Sequence, residues 1–391
     1  MYALIKKTNI KIKIYLYGFL KYFYFYIFNN KKKKKNKWII RLNEVKNNYA
    51  IDGDDIEIKY TKQPKTVKQK IIKGLKNTGM IILGILGIIL IYILFTIICS
   101  IYEKSKIKSY NYGTKLNING HTMNAKVFGE KNEPTIVFLT GMGFASPVLY
   151  YKPLAEAFSD KYKFIILEPF GYGLSDIVND KRTMDKICSE YHTAIEKFGV
   201  KKYYLMGHSI GGLYSLHMAN RYPNEILGYV GLDPTVPRVS EYTPSIGVKE
   251  IKIVRLLNIF GFTRIPTIFN KKNLLLPLHD GYNYTDEELS IFKNLSISKA
   301  FNRNFVDEIS YFFVNADSLR GKKFPKDIPV IIFLASINCK IYDVYKSVNE
   351  EVVNESISNE IIILEGAHID FFFDHLDFIT QKVKKLDYQI V

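Results

Sequence analysis

The chain is poor in cysteine. Its 391 residues include three, Cys99, Cys188 and Cys339, far apart and without any C-x-x-C pair. This excludes a disulfide scaffold and a zinc ribbon, and the odd count fits structural thiols. Acidic residues are scarce at one end. Residues 1–79 hold 20 Lys+Arg against 5 Asp+Glu, and residues 80–391 hold 35 against 33. The formal charge of +17 therefore sits in the N-terminal segment. A nearly neutral body argues against a nucleic-acid surface, and a basic arm beside an apolar run reads as a membrane-topology signal. No internal repeat, nucleotide loop or metal-ligand cluster is visible, so no cofactor and no metal is expected. Gly171-x-Gly173 lacks a third glycine at the dinucleotide spacing and reads as a turn. With 47% hydrophobic and 24% charged residues, the composition is globular.

Charge is also missing from Met80 to Ile101, MIILGILGIILIYILFTIICSI. At ~1.5 Å per residue these positions cover roughly 33 Å, enough to cross a hydrocarbon core of ~30 Å. A cleaved signal would start nearer Met1 and be shorter. A single transmembrane helix is expected. Six lysines (Lys62, Lys65, Lys68, Lys70, Lys73, Lys76) precede the run and three (Lys104, Lys106, Lys108) follow it. That bias puts residues 1–79 in the cytoplasm and the body on the non-cytoplasmic side, with the lipid bilayer as a partner. A second apolar stretch, Ile12 to Phe28, is interrupted by Lys13 and Lys21 and followed by the run Lys31 to Lys35. It reads as interfacial or irregular, with a second crossing as the alternative.

From about Tyr110 the pattern changes. Short apolar runs are expected as strands: Thr135–Leu139, Phe164–Leu167, Tyr203–Met206, Leu227–Leu232, Val330–Leu334 and Ile361–Leu364. Strands buried on both faces look like this. Helices are expected at Pro147–Phe158, Thr183–Phe198, Gly211–Tyr222 and Phe371–Lys385, and the alternation implies an α/β layer architecture. Thr114–Ile118 and Met123–Phe128 are expected to pair antiparallel at the start. Between Leu232 and Val330 the helical segments Val248–Ile259, Thr285–Leu295 and Lys299–Val314 appear with no good strand, so residues 238–322 read as a helical insertion.

The strongest chemical signal is Gly207-His208-Ser209-Ile210-Gly211, directly after one expected strand and before a helix. This is the G-x-S-x-G elbow in the context it needs: a sharp turn lifts Ser209 out at the top of the sheet, beside a helix N-terminus that favours negative charge.

Here the sequence resembles the α/β-hydrolase superfamily, over about residues 110–391. Thr140-Gly141-Met142-Gly143 stands where that family usually has His-Gly. Glu168-Pro169-Phe170-Gly171-Tyr172-Gly173-Leu174-Ser175-Asp176 is similar to its D-x-x-G-x-G-x-S segment, with Glu168 replacing the usual aspartate. The elbow, the helical insertion as a cap and a histidine after the last strand complete the resemblance. It implies an α/β fold with a mostly parallel central sheet, Ser209 as nucleophile, and an oxyanion hole formed by the Met142 and Ile210 amides. Dehalogenases and epoxide hydrolases of the family use an aspartate nucleophile, but serine stands here.

The order Ser…Asp…His selects His368, in the loop after Ile361–Leu364, from seven histidines. His121, His192, His208, His217, His279 and His375 are expected to have ordinary packing or surface roles, His375 inside the last helix. The family most often places the acid near what is here Asn338, and the next carboxylate is Asp343. Asparagine cannot stabilise an imidazolium by charge. Asp233, in Gly231-Leu232-Asp233-Pro234, is preferred. The expected activity is cleavage of a small acyl substrate, an ester first. An aminopeptidase, or an inactive membrane-tethered binding protein, is the alternative. Oligomeric state is not legible.

Overall fold

The computed structural model describes residues 66–244, 247–264, 278–279, 281–353 and 355–385. The segment Ile12–Phe28, the lysine run and part of the expected insertion lie outside them. The first described element is helix α1, Val67–Ser109, 43 residues long. The chain divides at Leu83/Gly84 within it. Met80–Ile101 lies inside α1 and most of its large apolar side chains are exposed. By length and composition α1 is a candidate membrane span.

Eight strands form one sheet: β1 Thr114–Ile118, β2 His121–Phe128, β3 Thr135–Leu139, β4 Lys163–Glu168, β5 Tyr203–His208, β6 Ile226–Leu232, β7 Val330–Ala335 and β8 Asn359–Leu364. Their order is β1-β2-β4-β3-β5-β6-β7-β8. β2 is antiparallel to β1 and β4, and the others pair in parallel. Successive residues of a strand point to opposite faces, and both faces are covered. Val137, Leu139, Ile165, Leu167 and Leu205 enter one hydrophobic core. Their neighbours Ile136, Phe138, Phe164, Ile166, Tyr204 and Met206 enter the other. This is why the central runs carry no polar alternation. The edge strand β8 departs from the expectation, since only Leu364 in it is buried.

The helices after α1 are α2 Pro147–Tyr150, α3 Lys152–Phe158, α4 Met184–Lys197, α5 Gly211–Arg221, α6 Val248–Ile259, α7 Asp286–Ser298, α8 Arg303–Asp317, α9 Ser336–Ile341, α10 Tyr345–Val353, α11 Phe371–Asp374 and α12 Leu376–Lys384. The helix expected over Pro147–Phe158 is two. Ser146 caps α2, whose N-terminal residue is Pro147. Pro153 then falls in the first turn of α3; in the middle of one helix it would lack a donor and clash with the carbonyl four residues back. The expected last helix is also two, because His375 leaves helical geometry at φ −123° and its Nε2–H bonds the Glu365 carbonyl at 2.9 Å. His375 is thus at a break, not inside a helix. Helices α9 and α10 had no sequence expectation.

The described part of residues 238–322 is helical. Helix α8 is bound to the body by buried amides that act on backbone. Asn304 accepts from Val178 N–H at 2.9 Å and donates to Val178 O at 3.0 Å. Asn315 does the same to Met184 N–H and Arg182 O, at 2.8 and 3.0 Å. Unpaired backbone in the 178–184 segment would otherwise be buried at a cost.

Candidate active site

The C-terminal ends of the parallel strands are where open α/β sheets place their sites. Ser209 follows β5, Asp233 follows β6, His368 follows β8, and Thr140–Gly143 follows β3. All four segments thus lie at the same, C-terminal end of the parallel strands.

Ser209 adopts φ 54°, a left-handed conformation rare for residues other than glycine. It is held there by its neighbours. Ser209 N–H donates to Leu232 O at 3.3 Å, and its carbonyl accepts from Gly212 N–H at 2.9 Å and Thr235 N–H at 2.7 Å. The turn is tight enough to need glycine at two flanking positions. A Cβ on Gly211 would stand 2.2 Å from the Leu139 carbonyl oxygen, and one on Gly207 would stand 2.6 Å from the Gly211 carbonyl oxygen. These are the physical reasons for the spacing that made the motif readable.

His368 Nε2 lies 2.9 Å from Ser209 Oγ, and His368 Nδ1 lies 2.5 Å from Asp233 Oδ2. The structure thus brings together the three residues selected from the sequence. Asp233 is fully buried. Its Oδ1 accepts from Ala335 N–H at 2.8 Å and its Oδ2 also accepts from Asn338 Nδ2–H at 2.6 Å. These donors compensate the burial of the carboxylate. Asn338 is therefore beside the acid rather than in its place: its amide nitrogen is 3.4 Å from His368 Nδ1. Asp343 has no hydrogen bond to the imidazole.

The loop after β3 sits against the elbow, since a Cβ on Gly141 would lie 3.2 Å from Ser209 Cβ. Gly141 N–H donates to Tyr151 Oη at 3.4 Å and Gly143 N–H to Tyr172 Oη at 3.2 Å. Met142 N–H, between them, and Ile210 N–H donate to no other described residue. Two donors left over beside a serine hydroxyl are what a developing oxyanion requires.

Two supporting networks were not legible in the sequence. Tyr151 Oη lies 2.7 Å from His208 Nδ1, and His208 Nε2 lies 2.8 Å from the His368 carbonyl oxygen. The carbonyl can only accept, so Nε2 carries the proton and Tyr151 donates to Nδ1. Burial, and next the nearby His368, push the His208 pKa well below its usual value, so His208 packs as a neutral bridge between the loop after β3 and the loop after β8. In the second network, Tyr172 and Tyr214 each donate to Glu308 of α8, both at 2.5 Å. Burial raises the Glu308 carboxyl above its ordinary range, and the two tyrosines partly oppose this. The cap therefore reaches the loop after β3 through Glu308, Tyr172 and Gly143.

Glu168, in the place of the usual aspartate, is a buried hub. It accepts from Asn124 Nδ2 at 2.9 Å, Ser146 Oγ at 2.9 Å, Leu174 N–H at 2.9 Å and Tyr112 Oη at 3.0 Å. Gly171 and Gly173 are left-handed turn residues around it. Of the cap aromatics, Phe292 and Phe312 are buried core, whereas the Phe305 ring stands over Gly143. His192, His217 and His279 meet Glu225, Asp185 and the Phe373 ring respectively. His121 lies edge-on to Phe170. No group of three His, Cys, Asp or Glu among the described residues is arranged to hold a metal ion.

Comparison with known proteins agrees with this fold. Residues 134–276 match the family described as alpha/beta hydrolase fold. The chain is 31% identical to the uncharacterized protein YbdG of Bacillus subtilis over 225 residues, 56% of this chain and 67% of that protein. It is 29% identical to the putative carbamate hydrolase RutD of Cronobacter turicensis over 98 residues, 25% of this chain and 36% of that relative; the match thus spans about a third of the carbamate hydrolase. An epoxide hydrolase from Vigna radiata superposes with a TM-score of 0.52 at 16% identity, covering 71% of this chain and 97% of that one. The enol-lactonase of Burkholderia xenovorans superposes with a TM-score of 0.50 at 11% identity, covering 70% and 99%. At such identities these two structures share the fold alone. Strand order, the elbow at Ser209, the matched segment and the Bacillus relative together place the chain in the α/β-hydrolase superfamily.

Proposed function

We propose that this protein is a membrane-anchored serine hydrolase that cleaves an ester bond through an acyl-enzyme. The observation that carries the reading is the continuous hydrogen-bonded line Ser209–His368–Asp233, with contacts of 2.9 and 2.5 Å. His368 Nε2 removes the Ser209 proton as Oγ attacks the acyl carbon. The carbonyl oxygen becomes an oxyanion and takes hydrogen bonds from Met142 N–H and Ile210 N–H, each worth about 2.7–4 kcal/mol in the transition state. Asp233 stabilises the imidazolium. His368 then gives the proton to the leaving oxygen as the bond to carbon breaks. Water, deprotonated by the same imidazole, attacks the acyl carbon; the carbon–Oγ bond breaks, His368 returns the proton to Ser209 Oγ, and the acid leaves. Relatives include a putative carbamate hydrolase, and carbamate carbonyls are open to the same attack. Epoxide opening by covalent catalysis would call for a carboxylate where Ser209 stands.

Anchoring is supported by α1. The exposed Ile81, Ile82, Leu83, Leu86, Ile88 and Ile89 would be costly in water, and the lysine bias around Met80–Ile101 favours residues 1–79 on the cytoplasmic side.

The test is labelling by a fluorophosphonate probe together with hydrolysis of p-nitrophenyl esters and aminoacyl-p-nitroanilides. Wild type is expected to label and to turn over the esters, and Ser209→Ala to do neither. Equal labelling of both proteins refutes the assignment of Ser209. Turnover of the anilides alone replaces the esterase by an aminopeptidase.

A further inference from the structure

Helix α6 of the cap has an inverted polarity over its second half. Its exposed residues at the start are Lys249, Glu250 and Lys252. From there to the following turn the outward positions are Ile253, Leu256, Leu257, Ile259, Phe260 and Phe262, exposed by 43–62%. Of the polar side chains between Ile253 and Phe260, Arg255 is half-buried, and Asn258 turns inward, where its Nδ2 donates to Ala300 O at 2.7 Å. Apolar residues outside and a satisfied amide inside is the arrangement of a lipid-facing helix, not a watered one.

The apolar end of α6 runs into α1. The Gly261 carbonyl accepts from Tyr92 Oη at 2.8 Å, and a Cβ on Gly261 would stand 2.3 Å from Thr96 Cγ2. The Phe262 ring lies 5.5 Å from the Tyr92 ring. Three residues on, Arg264 Nη2 reaches Glu103 at 2.7 Å and Ser100 Oγ at 2.9 Å. Tyr92 lies nine residues before Ile101, roughly 13 Å down the helix axis, whereas Glu103 lies beyond the apolar run. Gly261 therefore sits level with the hydrocarbon part of α1 and Arg264 level with its polar boundary. A charged side chain at such a depth reaches for the boundary and pairs there.

We propose that the second half of α6, with the turn through Phe262, is seated in the acyl-chain layer of the same bilayer that α1 crosses. The inference rests on reading Met80–Ile101 as a span. Its occupant is lipid, because the patch adjoins α1 at Tyr92 and Thr96, whose helix neighbours Ile88, Phe95 and Ile91 are exposed too and would already face acyl chains. The polarity along α6 follows the same depth gradient: Lys249, Glu250 and Lys252 are exposed at its start, Arg255 is half-buried, and the exposed positions from Leu256 to the end that meets α1 are apolar.

The full-length chain in phosphatidylcholine vesicles tests this, with Leu256→Trp or Ile357→Trp each added to a Trp38→Phe background. Ile357 is 73% exposed in the turn before β8 and serves as control. Lipids brominated on the acyl chain, near the carbonyl end in one set of vesicles and at mid-chain in another, are expected in at least one set to quench the Leu256→Trp emission about two-fold or more, and in both to leave Ile357→Trp unchanged. If the chain resists a carbonate wash but Leu256→Trp is unquenched, the docking is overturned and the span stands. A blue-shifted but unquenched signal assigns the patch to a second copy and also overturns it. Equal quenching of both tryptophans does the same. Release of the chain by carbonate removes the span and the docking together.

Discussion

Replacing Asp233 by asparagine isolates the acid without changing its size. In the native site both carboxylate oxygens only accept: Oδ1 from Ala335 N–H, Oδ2 from Asn338 Nδ2–H and His368 Nδ1–H. An asparagine that keeps its oxygen on Ala335 turns an NH2 toward two donors. Asn338 can answer by rotating its amide. His368 can answer only by moving its proton from Nδ1 to Nε2, and Nε2–H then faces Ser209 Oγ with no lone pair to accept the serine proton. The opposite rotamer leaves the buried Ala335 N–H against an NH2, at about 1–3 kcal/mol. Asp233→Asn is therefore expected to lower kcat about 10⁴-fold, roughly 5 kcal/mol of transition-state stabilisation, with little change in KM. The assay is p-nitrophenyl ester hydrolysis with active sites counted by fluorophosphonate. Adding Asn338→Asp to that variant returns a carboxylate beside His368 Nδ1 and is expected to recover at least about ten-fold, because the two positions share the same proton. A folded Asp233→Asn protein that works within about ten-fold of wild type would refute this account.

Gly211→Ala is expected to cost about 2–3 kcal/mol in urea unfolding and to abolish probe labelling, because its new methyl meets backbone rather than a yielding side chain; an unchanged midpoint contradicts the elbow packing. Glu308→Gln tests the buried carboxyl of the cap. Its folded pKa is raised by burial, so its contribution to stability is complete below the ordinary glutamate range and is lost as pH rises through the raised value. The glutamine lacks this loss, and the melting temperature of the variant minus that of wild type is expected to climb as pH rises above the ordinary glutamate range. A flat difference would show that Glu308 titrates as it does in the unfolded chain.

Much of the fold was legible because its signals are local. The central strands announce themselves as unbroken apolar runs, since both faces of Thr135–Leu139 and Tyr203–His208 are covered. The elbow is legible because two glycines are demanded by backbone carbonyls a few ångströms away. His368 follows from chain order. Where an expected helix is two in the structure, the cause lies in a single residue: Pro153 restarting a helix, or His375 bending back to Glu365.

The acid and its surroundings were of another kind. From sequence alone Asp233, Asp343 and Asn338 stood as competitors, each in a loop after a strand. Pairing of β6 with β7 brings the first and last of these side by side, and the bond from Asn338 to Asp233 arranges them as donor and acceptor. The bridges through His208 and Glu308 join residues 57 to 160 positions apart. Local pattern carries hydrophobic period and turn chemistry, which depend on a few neighbours along the chain. Which buried donor meets which acceptor depends on distances through space, and those exist once the sheet has closed its order.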